Sequence, residues 1–137
     1  MPRFEVIDHT ADVGIIAYGS DLKEAFANSA YGMFSLIADL DVVQEKVSRK
    51  VDIQSIDQEA LLVDWLNELL YLFDVKHIIF KRFQITALSQ NRLQARVYGE
   101  KVDTSRHQLK TAIKAATYHM LKIESNEEVK VQLILDI

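Results

Sequence analysis

Hydrophobic and polar positions change their period several times along the first half of the chain, and each change predicts a new element. Residues 3–7 and 14–18 carry short apolar runs that are typical of β-strands. From Asp21 onward, apolar residues recur at spacings of three, four and seven, which predicts an amphipathic helix. Asp21 with Glu24 three residues later resembles a capping box at the start of that helix. Residues 47–54 alternate between apolar and polar, as a half-buried strand does.

The second half of the chain predicts a long helix, a hairpin, a third helix and a closing strand. Residues 57–74 present a wide apolar face at helical spacing. Residues 77–87 and 92–98 are predicted to pair as antiparallel strands around the turn "SQN". Apolar positions within residues 106–121 again recur at helical spacing and predict a third helix. Residues 129–137 alternate between apolar and polar with only one departure and predict a final strand.

The order of these elements, roughly β-β-α-β-α-β-β-α-β, predicts the fold class. Because strands and helices do not alternate regularly, we expect an α+β fold with helices packed on a mixed, largely antiparallel sheet. No linker rich in Pro, Gly or Ser divides the sequence, so residues 1–137 are predicted to form a single domain. The last strand needs a neighbour that buries its apolar side. A strand from the N-terminal part is a candidate, and that pairing would bring the two ends of the chain together.

Charge and composition narrow the classes of partner and of chemistry. The 16 basic and 20 acidic residues give a formal net charge of −4, and the basic residues are scattered, which disfavours stable direct binding of nucleic acid. No apolar run is long enough for a membrane span, and the start "MPRFEVID" lacks the features of a signal peptide. We therefore expect a cytoplasmic protein. The absence of cysteine excludes disulfides, thiolate zinc sites and cysteine nucleophiles.

The segment "IDHTADVGI", residues 7–15, is the main candidate for chemistry. Its carboxylates, Asp8 and Asp12, favour a hard cation bound through oxygen, such as calcium or magnesium. Two carboxylates are too few for calcium, which takes about six to eight oxygen ligands. The final residues can supply more ligands, because Asp136 offers a carboxylate and Ile137 a terminal one.

Two other interpretations of the same segment stay open. In the first, it is only a polar turn in which Asp8 caps the turn, Thr10 bonds its backbone and Asp12 is solvated. In the second, Asp8, His9 and Asp12 form the centre of a metal-dependent hydrolase or nuclease. The lack of basic clusters and of a second carboxylate motif argues against this enzyme.

Histidines and helix surfaces give weaker signals. The four histidines show no metal-ligand spacing, so a capping or hydrogen-bonded role is expected for each of His9, His77, His107 and His119. Two polar ridges are predicted on helices, and each is either a solvated face or an interaction surface. The first ridge consists of Asp64, Asn67, Glu68 and Tyr71. The second ridge consists of Lys110, Lys114 and Tyr118. The sequence contains no nucleophile elbow, phosphate loop or dinucleotide fingerprint.

Four segments, taken together and in order, resemble the archease family. They are "DHTADVGI", "LLVDWLNELLYL", "GE" followed by "H…IKAATYHML", and the final "LILDI". The resemblance covers the whole length of the chain. Ala116 stands where a branched apolar residue is common in the family, and this departure concerns core packing rather than a functional residue.

The resemblance implies an accessory protein rather than an enzyme. Archeases assist the RNA-splicing ligase that joins a 3′-phosphate or 2′,3′-cyclic-phosphate end to a 5′-hydroxyl end. They promote guanylylation of the ligase from GTP and its multiple turnover, chiefly in tRNA splicing. The family fold consists of two interlocked strand-helix-strand-strand units, and its divalent cation, typically calcium, is held at positions that correspond to Asp12, Asp136 and Ile137. The alternative is a general chaperone or protein-modulating module with several partners.

Overall fold

The polypeptide forms strands, two long helices and one short 3₁₀ helix. The computed structural model describes residues 3–8 and 12–137. The strands are β1 (Phe4–Asp8), β2 (Asp12–Gly19), β3 (Val47–Gln54), β4 (Ile78–Leu88), β5 (Arg92–Lys101), β6 (Ala115–Ala116), β7 (Lys122–Ser125) and β8 (Val129–Asp136). The helices are α1 (Leu22–Ile37) and α2 (Gln58–Lys76), and the 3₁₀ helix is Leu40–Val42. No helix within the described ranges has the length and apolar character that crossing a membrane requires.

The strands are arranged in two sheets whose pairs all run antiparallel. One sheet has the order β1-β2-β8-β6, with β7 also paired to β8, and the other has the order β3-β5-β4. The second sheet and α2 come from consecutive elements, β3-α2-β4-β5, which form one strand-helix-strand-strand unit. The first sheet draws its strands from both sides of that unit in the sequence, so the two halves interlock. The predicted α+β class is confirmed.

Pairing of β2 with β8 joins the first part of the chain to the last. Their register runs from Asp12 opposite Asp136 to Gly19 opposite Val129. The predicted meeting of an N-terminal strand with the final strand is therefore confirmed.

One continuous core connects both sheets and both helices. α1 packs against β2 and β8 of one sheet and against β4 of the other. The ring of Phe34 in α1 lies 5.8 Å from that of Phe80 and 5.7 Å from that of Phe83, both in β4. Trp65 of α2 is fully buried and donates its indole N–H to the carbonyl of Phe26 in α1 at 3.0 Å. A single hydrophobic cluster thus fixes the position of the first sheet relative to the second.

Both helices begin at a capping aspartate. Asp21 accepts a hydrogen bond from the Glu24 N–H at 2.8 Å, as the sequence predicts, and Asp57 accepts one from the Ala60 N–H at 2.8 Å. The Glu24 carboxylate returns to the N–H of Ser20 at 2.9 Å, one residue before the cap. The bonds to Asp21 and Asp57 satisfy N–H groups that the first turn of each helix leaves without a partner.

The predicted helix over residues 106–121 is wrong. Its first residues make a local turn, in which the His107 N–H donates to the carbonyl of Asp103, whereas several later N–H groups donate to other elements. Lys110 donates to the carbonyl of Ile37 at the end of α1 at 2.8 Å, and Lys114 donates to the carbonyl of Asp136 in β8 at 2.7 Å. The segment is largely irregular and contains the two-residue strand β6. Tertiary hydrogen bonds therefore override the local helical period.

The apolar pattern that suggested this helix does not correspond to one buried face. Leu109 and Met120, expected to point inward, are 47% and 48% exposed. The predicted ridge of Lys110, Lys114 and Tyr118 does not exist either, because those residues do not share a helix.

The glycine of the "GE" segment permits the close approach of β5 to β4. A Cβ atom on Gly99 would lie 1.8 Å from the backbone oxygen of Ile79.

We predict that Gly99→Ala lowers the free energy of unfolding by about 3 kcal/mol, since the clash is with backbone. A urea titration measures this loss. In the control Gly32→Ala, the three atoms nearest to the added Cβ belong to the side chain of Phe4, the closest at 2.9 Å, so a smaller loss is expected. Equal unfolding midpoints for Gly99→Ala and the wild type would contradict the prediction.

Candidate metal centre

Two carboxylates lie side by side where β2 begins and β8 ends. Asp12 and Asp136 are directly opposed in the antiparallel register. Directly opposed residues project from the same face with Cβ atoms about 5 Å apart. Asp12 is partly buried, whereas Asp136 is exposed and is followed by Ile137, which is 37% exposed. Because like charges at this spacing repel each other, the pair favours a cation between them.

The pair projects from the face of the sheet that points away from the core. Along β2, Val13 and Ile15 are buried in the core at 7% and 0% exposure, and Asp12 alternates with them. Asp8 of β1 lies opposite Val13 in the register. Asp8 therefore has the parity of the core-facing residues, and the sheet separates its side chain from that of Asp12.

The placement of Asp8 and Asp12 on opposite faces of the sheet argues against one interpretation of "IDHTADVGI", the hydrolase centre. A hydrolase centre would need the side chains of Asp8 and Asp12 together, and the strand register directs them to opposite faces. His9 and Thr10, which enter the two alternative interpretations, lie outside the described residues. Of the two aspartates, Asp12 is the one that is placed beside Asp136.

The donor set fits an oxygen-liganded cation. Within residues 3–8 and 12–137, no three side chains of His, Cys, Asp or Glu form a group that could hold a metal. The predicted set instead combines two aspartate side chains with the carboxylate of Ile137, and all three are hard oxygen donors that suit calcium or magnesium. Such a set leaves positions in the coordination shell for water or for oxygen atoms of a partner.

The backbone of Asp136 is also held from the side opposite β2. Ala115 of β6 is its partner in the register, and the Lys114 N–H donates to the Asp136 carbonyl at 2.7 Å. Asn67 of α2 accepts from the Ala116 N–H at 2.8 Å and donates to the Ala116 carbonyl at 3.2 Å. The sequence pattern does not predict this contact and places Asn67 on a polar ridge. The available signal was the asparagine itself, which is uncommon inside a helix unless its amide has a specific partner.

A polar cluster around the buried side chains of Glu100 and His107 anchors the start of the segment that leads to β6. Glu100 accepts hydrogen bonds from Arg106 and, at 2.6 Å, from the N–H of Gln44. His107 lies with its Nε2 3.2 Å from Glu100, and its Nδ1 accepts from the N–H of Asp103 at 2.9 Å. Since Nδ1 accepts, Nε2 carries the proton and donates to Glu100. We call these five residues the Glu100 cluster.

The cluster keeps Glu100 ionised. Burial raises the pKa of this carboxyl, but hydrogen bonds from the Gln44 N–H, His107 and Arg106 together lower its pKa below the usual value of 4.5. The cluster contains a satisfied carboxylate rather than a general acid, so its role is structural.

The histidines have the roles that their spacing predicted, as far as they are described. His77 ends α2 in a left-handed conformation with φ of 59°, and its N–H donates to the carbonyl of Phe73 at 3.0 Å. His107 is buried in the Glu100 cluster, while His119 is exposed. The capping and hydrogen-bonded roles are thus confirmed for His77 and His107.

The remaining ridge on α2 is divided between packing and solvent. Asp64 accepts a hydrogen bond from the hydroxyl of Ser55 at 2.6 Å, and Asn67 holds β6. Tyr71 is 53% exposed, and Glu68 is partly buried. The ridge is therefore not one uniform interaction surface.

The fold and the carboxylate pair define a small α+β protein with a candidate cation site between its first and last paired strands. The model of the Archease protein family matches residues 4–137. The chain therefore belongs to the archease family.

Individual relatives agree with this assignment. The chain is 40% identical over 140 residues to Protein archease of Methanosarcina acetivorans, covering 98% of this chain and 96% of that one. It is 37% identical to Protein archease of Methanothermobacter thermautotrophicus, with both chains covered completely. The similarity thus extends over the complete fold and includes both strands of the candidate site.

Solved structures share the architecture. The solution structure of protein 1598 of Methanobacterium thermoautotrophicum superposes with a TM-score of 0.83 at 37% identity and covers 100% of both chains. A crystal structure from Thermotoga maritima, described as an archease and possible chaperone, has a TM-score of 0.65 at 21% identity. It covers 96% of this chain and 94% of that one. At that identity the second comparison supports the fold alone.

The Glu100 cluster predicts a specific pH dependence of stability. At neutral pH, Glu100→Gln is expected to cost about 2 kcal/mol of unfolding free energy, because the donors of Gln44, His107 and Arg106 lose a charged acceptor. The folded pKa of Glu100 lies below its usual value of 4.5, so its contribution is present above that value and is lost as pH falls through the folded pKa. The difference in the free energy of unfolding between the wild type and Glu100→Gln should therefore become smaller as the pH is lowered. Urea titrations between about pH 7 and about pH 3 measure this difference, and a constant difference over that range would contradict the prediction.

Proposed function

We propose that this protein is a non-catalytic activator of the RNA-splicing ligase that joins 3′-phosphate or 2′,3′-cyclic-phosphate ends to 5′-hydroxyl ends. It promotes guanylylation of the ligase from GTP and sustains multiple turnover in tRNA splicing, in the cytoplasm. The observation that carries the proposal is the opposition of Asp12 and Asp136 across β2 and β8 in a chain that belongs to the archease family.

A divalent cation, with calcium favoured, completes this proposed site. Asp12 and Asp136 would hold it through their side chains and Ile137 through its terminal carboxylate. When bound, calcium supplies positive charge that relieves the repulsion between the carboxylates. Because Asp136 and Ile137 are exposed at the edge of the molecule, a partner could approach the same cation.

In this proposal the protein positions the cation ligands for its partner and does not catalyse a reaction itself. β2 and β8 hold the two aspartates on the outer face, while the core side of the same strands is covered by α1. The net charge of −4 does not favour RNA, so the proposed partner is the ligase protein itself. Stable direct contact with nucleic acid is not part of the proposal.

The first test compares three alanine variants in a multiple-turnover ligation assay with limiting cognate ligase and GTP. Asp12→Ala and Asp136→Ala are each expected to lower the stimulation at least about tenfold, because each removes a ligand. Basal single turnover by the ligase should not change. Asp8→Ala is the matched control, since it removes a nearby aspartate from the opposite face of the sheet and should keep the stimulation. Full stimulation by both site variants would refute the site assignment.

The second test concerns Ile137. One glycine added after Ile137 moves the terminal carboxylate by about 3.5 Å and is expected to weaken calcium binding about tenfold. Isothermal titration calorimetry measures the affinity. A glycine added before Met1 controls for the change in chain length. Equal calcium affinity in both extended proteins would show that the terminal carboxylate is not a ligand.

The alternative, a general chaperone or protein-modulating module, makes a different prediction. Such a module would recover many unrelated proteins in a pull-down without enrichment of a ligase, and the loss of Asp12 would not change that set. The ligase activator recovers the ligase in a calcium-dependent manner. The description of the Thermotoga relative as a possible chaperone comes with 21% identity and does not decide between them.

A further inference from the structure

One side chain of α2 completes the edge of the sheet that contains the proposed cation site. Asn67 is partly buried and contacts both main-chain polar groups of Ala116. Its oxygen accepts from the Ala116 N–H at 2.8 Å, and its amide nitrogen donates to the Ala116 carbonyl at 3.2 Å. An adjacent antiparallel strand makes the same pair of bonds to a residue. The Asn67 amide therefore takes the place of a neighbouring strand along β6.

The strand that Asn67 holds lies directly against Asp136. β6 has two residues, with Ala115 opposite Asp136 and Ala116 opposite Leu135. The preceding Lys114 N–H donates to the Asp136 carbonyl at 2.7 Å. A two-residue strand at the edge of a sheet makes few hydrogen bonds to its neighbour. The position of β6 therefore depends on other contacts as well, and the contact with Asn67 is one of these.

Asp136 is located where β8 leaves the core. Leu135 is fully buried, whereas Asp136 is exposed. Core packing thus fixes the backbone up to Leu135, and beyond that point the strand is held by β2 on one side and by β6 with Lys114 on the other. Loss of β6 would leave the Asp136 backbone bonded from one side.

We propose that Asn67 is a positioning residue of the cation site and acts on Asp136 through β6. This inference rests on the proposed function, in which Asp136 is a cation ligand. A ligand that is already held in place loses less conformational freedom on binding, so partners behind the ligands contribute to metal affinity. Asn67 contributes in this way without contacting the cation.

The test is a calcium titration of the complete chain by calorimetry, at a temperature where each variant is folded. Asn67→Ala is expected to bind calcium about tenfold more weakly than the wild type. Asn28→Ala is the matched control. Asn28 likewise donates its amide to a main-chain carbonyl, that of Tyr18, at 2.7 Å. Tyr18 lies in β2 about 20 Å from Asp12, so this variant should keep wild-type affinity.

Hydrogen exchange supplies a second measurement that does not depend on calcium. The amide of Lys114, which donates to Asp136, should exchange faster in Asn67→Ala and at the wild-type rate in Asn28→Ala. If Asn67→Ala does not fold, Asn67→Asp replaces it. The aspartate carboxylate keeps the acceptor for the Ala116 N–H and loses the donor to its carbonyl, so the expected increase in the exchange rate of Lys114 is smaller.

The outcomes separate this inference from the proposed function. Equal calcium affinity in Asn67→Ala and the wild type would overturn the role of Asn67 and leave the proposed site intact. An equal loss in Asn28→Ala would show a general effect of destabilisation and would also overturn the positioning role. A wild-type protein that binds no calcium would overturn the proposed site and this inference with it.

Discussion

The pairing of β2 with β8 is the constraint on which both the core and the candidate site depend. Val13 and Ile15 of β2, with Leu133 and Leu135 of β8, are at most 7% exposed. If β8 slipped by one residue against β2, the side chains of Leu133 and Leu135 would turn away from the core, so burial specifies the register strongly. The same register places Asp12 opposite Asp136. The carboxylate pair is thus a geometric consequence of core packing and needs no local interaction of its own to form.

Because side chains alternate along a strand, the two faces of the sheet have different roles. One face contributes to the core and packs on α1, and the other carries Asp12 and Asp136 at its end. The repulsion between the two carboxylates is confined to the outer face, where Asp136 is exposed and Asp12 is partly buried. Asp8, which has the opposite parity, does not enter it.

Sequence patterns predicted those elements whose local signal and tertiary environment agree. α2 has a wide apolar stripe and a capping aspartate, and the alternation in residues 129–137 matches the buried side of β8. The helix predicted over residues 106–121 is wrong because the backbone of this segment bonds to α1 and β8 instead. No local pattern in the sequence reveals those bonds. For the site, strand parity made the meeting of the termini plausible, and the family resemblance selected Asp12 over Asp8.

Two of the contacts that the sequence patterns do not predict join residues far apart in the chain. Glu100 binds Gln44 across 56 positions, and Asn67 binds Ala116 across 49. A helix or strand pattern extends over fewer than twenty residues, so such pairs are invisible to it. The chemical types were suggestive, since a buried carboxylate and a helical asparagine both require partners. Their partners became identifiable only from the fold.

Long-range contacts of this kind also connect the Glu100 cluster with the candidate cation site. The segment between them makes few hydrogen bonds within itself and is held at its start by His107, in its middle by the Lys110 bond to α1, and at its end by Asn67. Order in one part of such a segment lowers the entropic cost of ordering the next. The position of β6 therefore depends on contacts at both ends of this segment, and the contact with Asn67 is the one that acts on β6 directly.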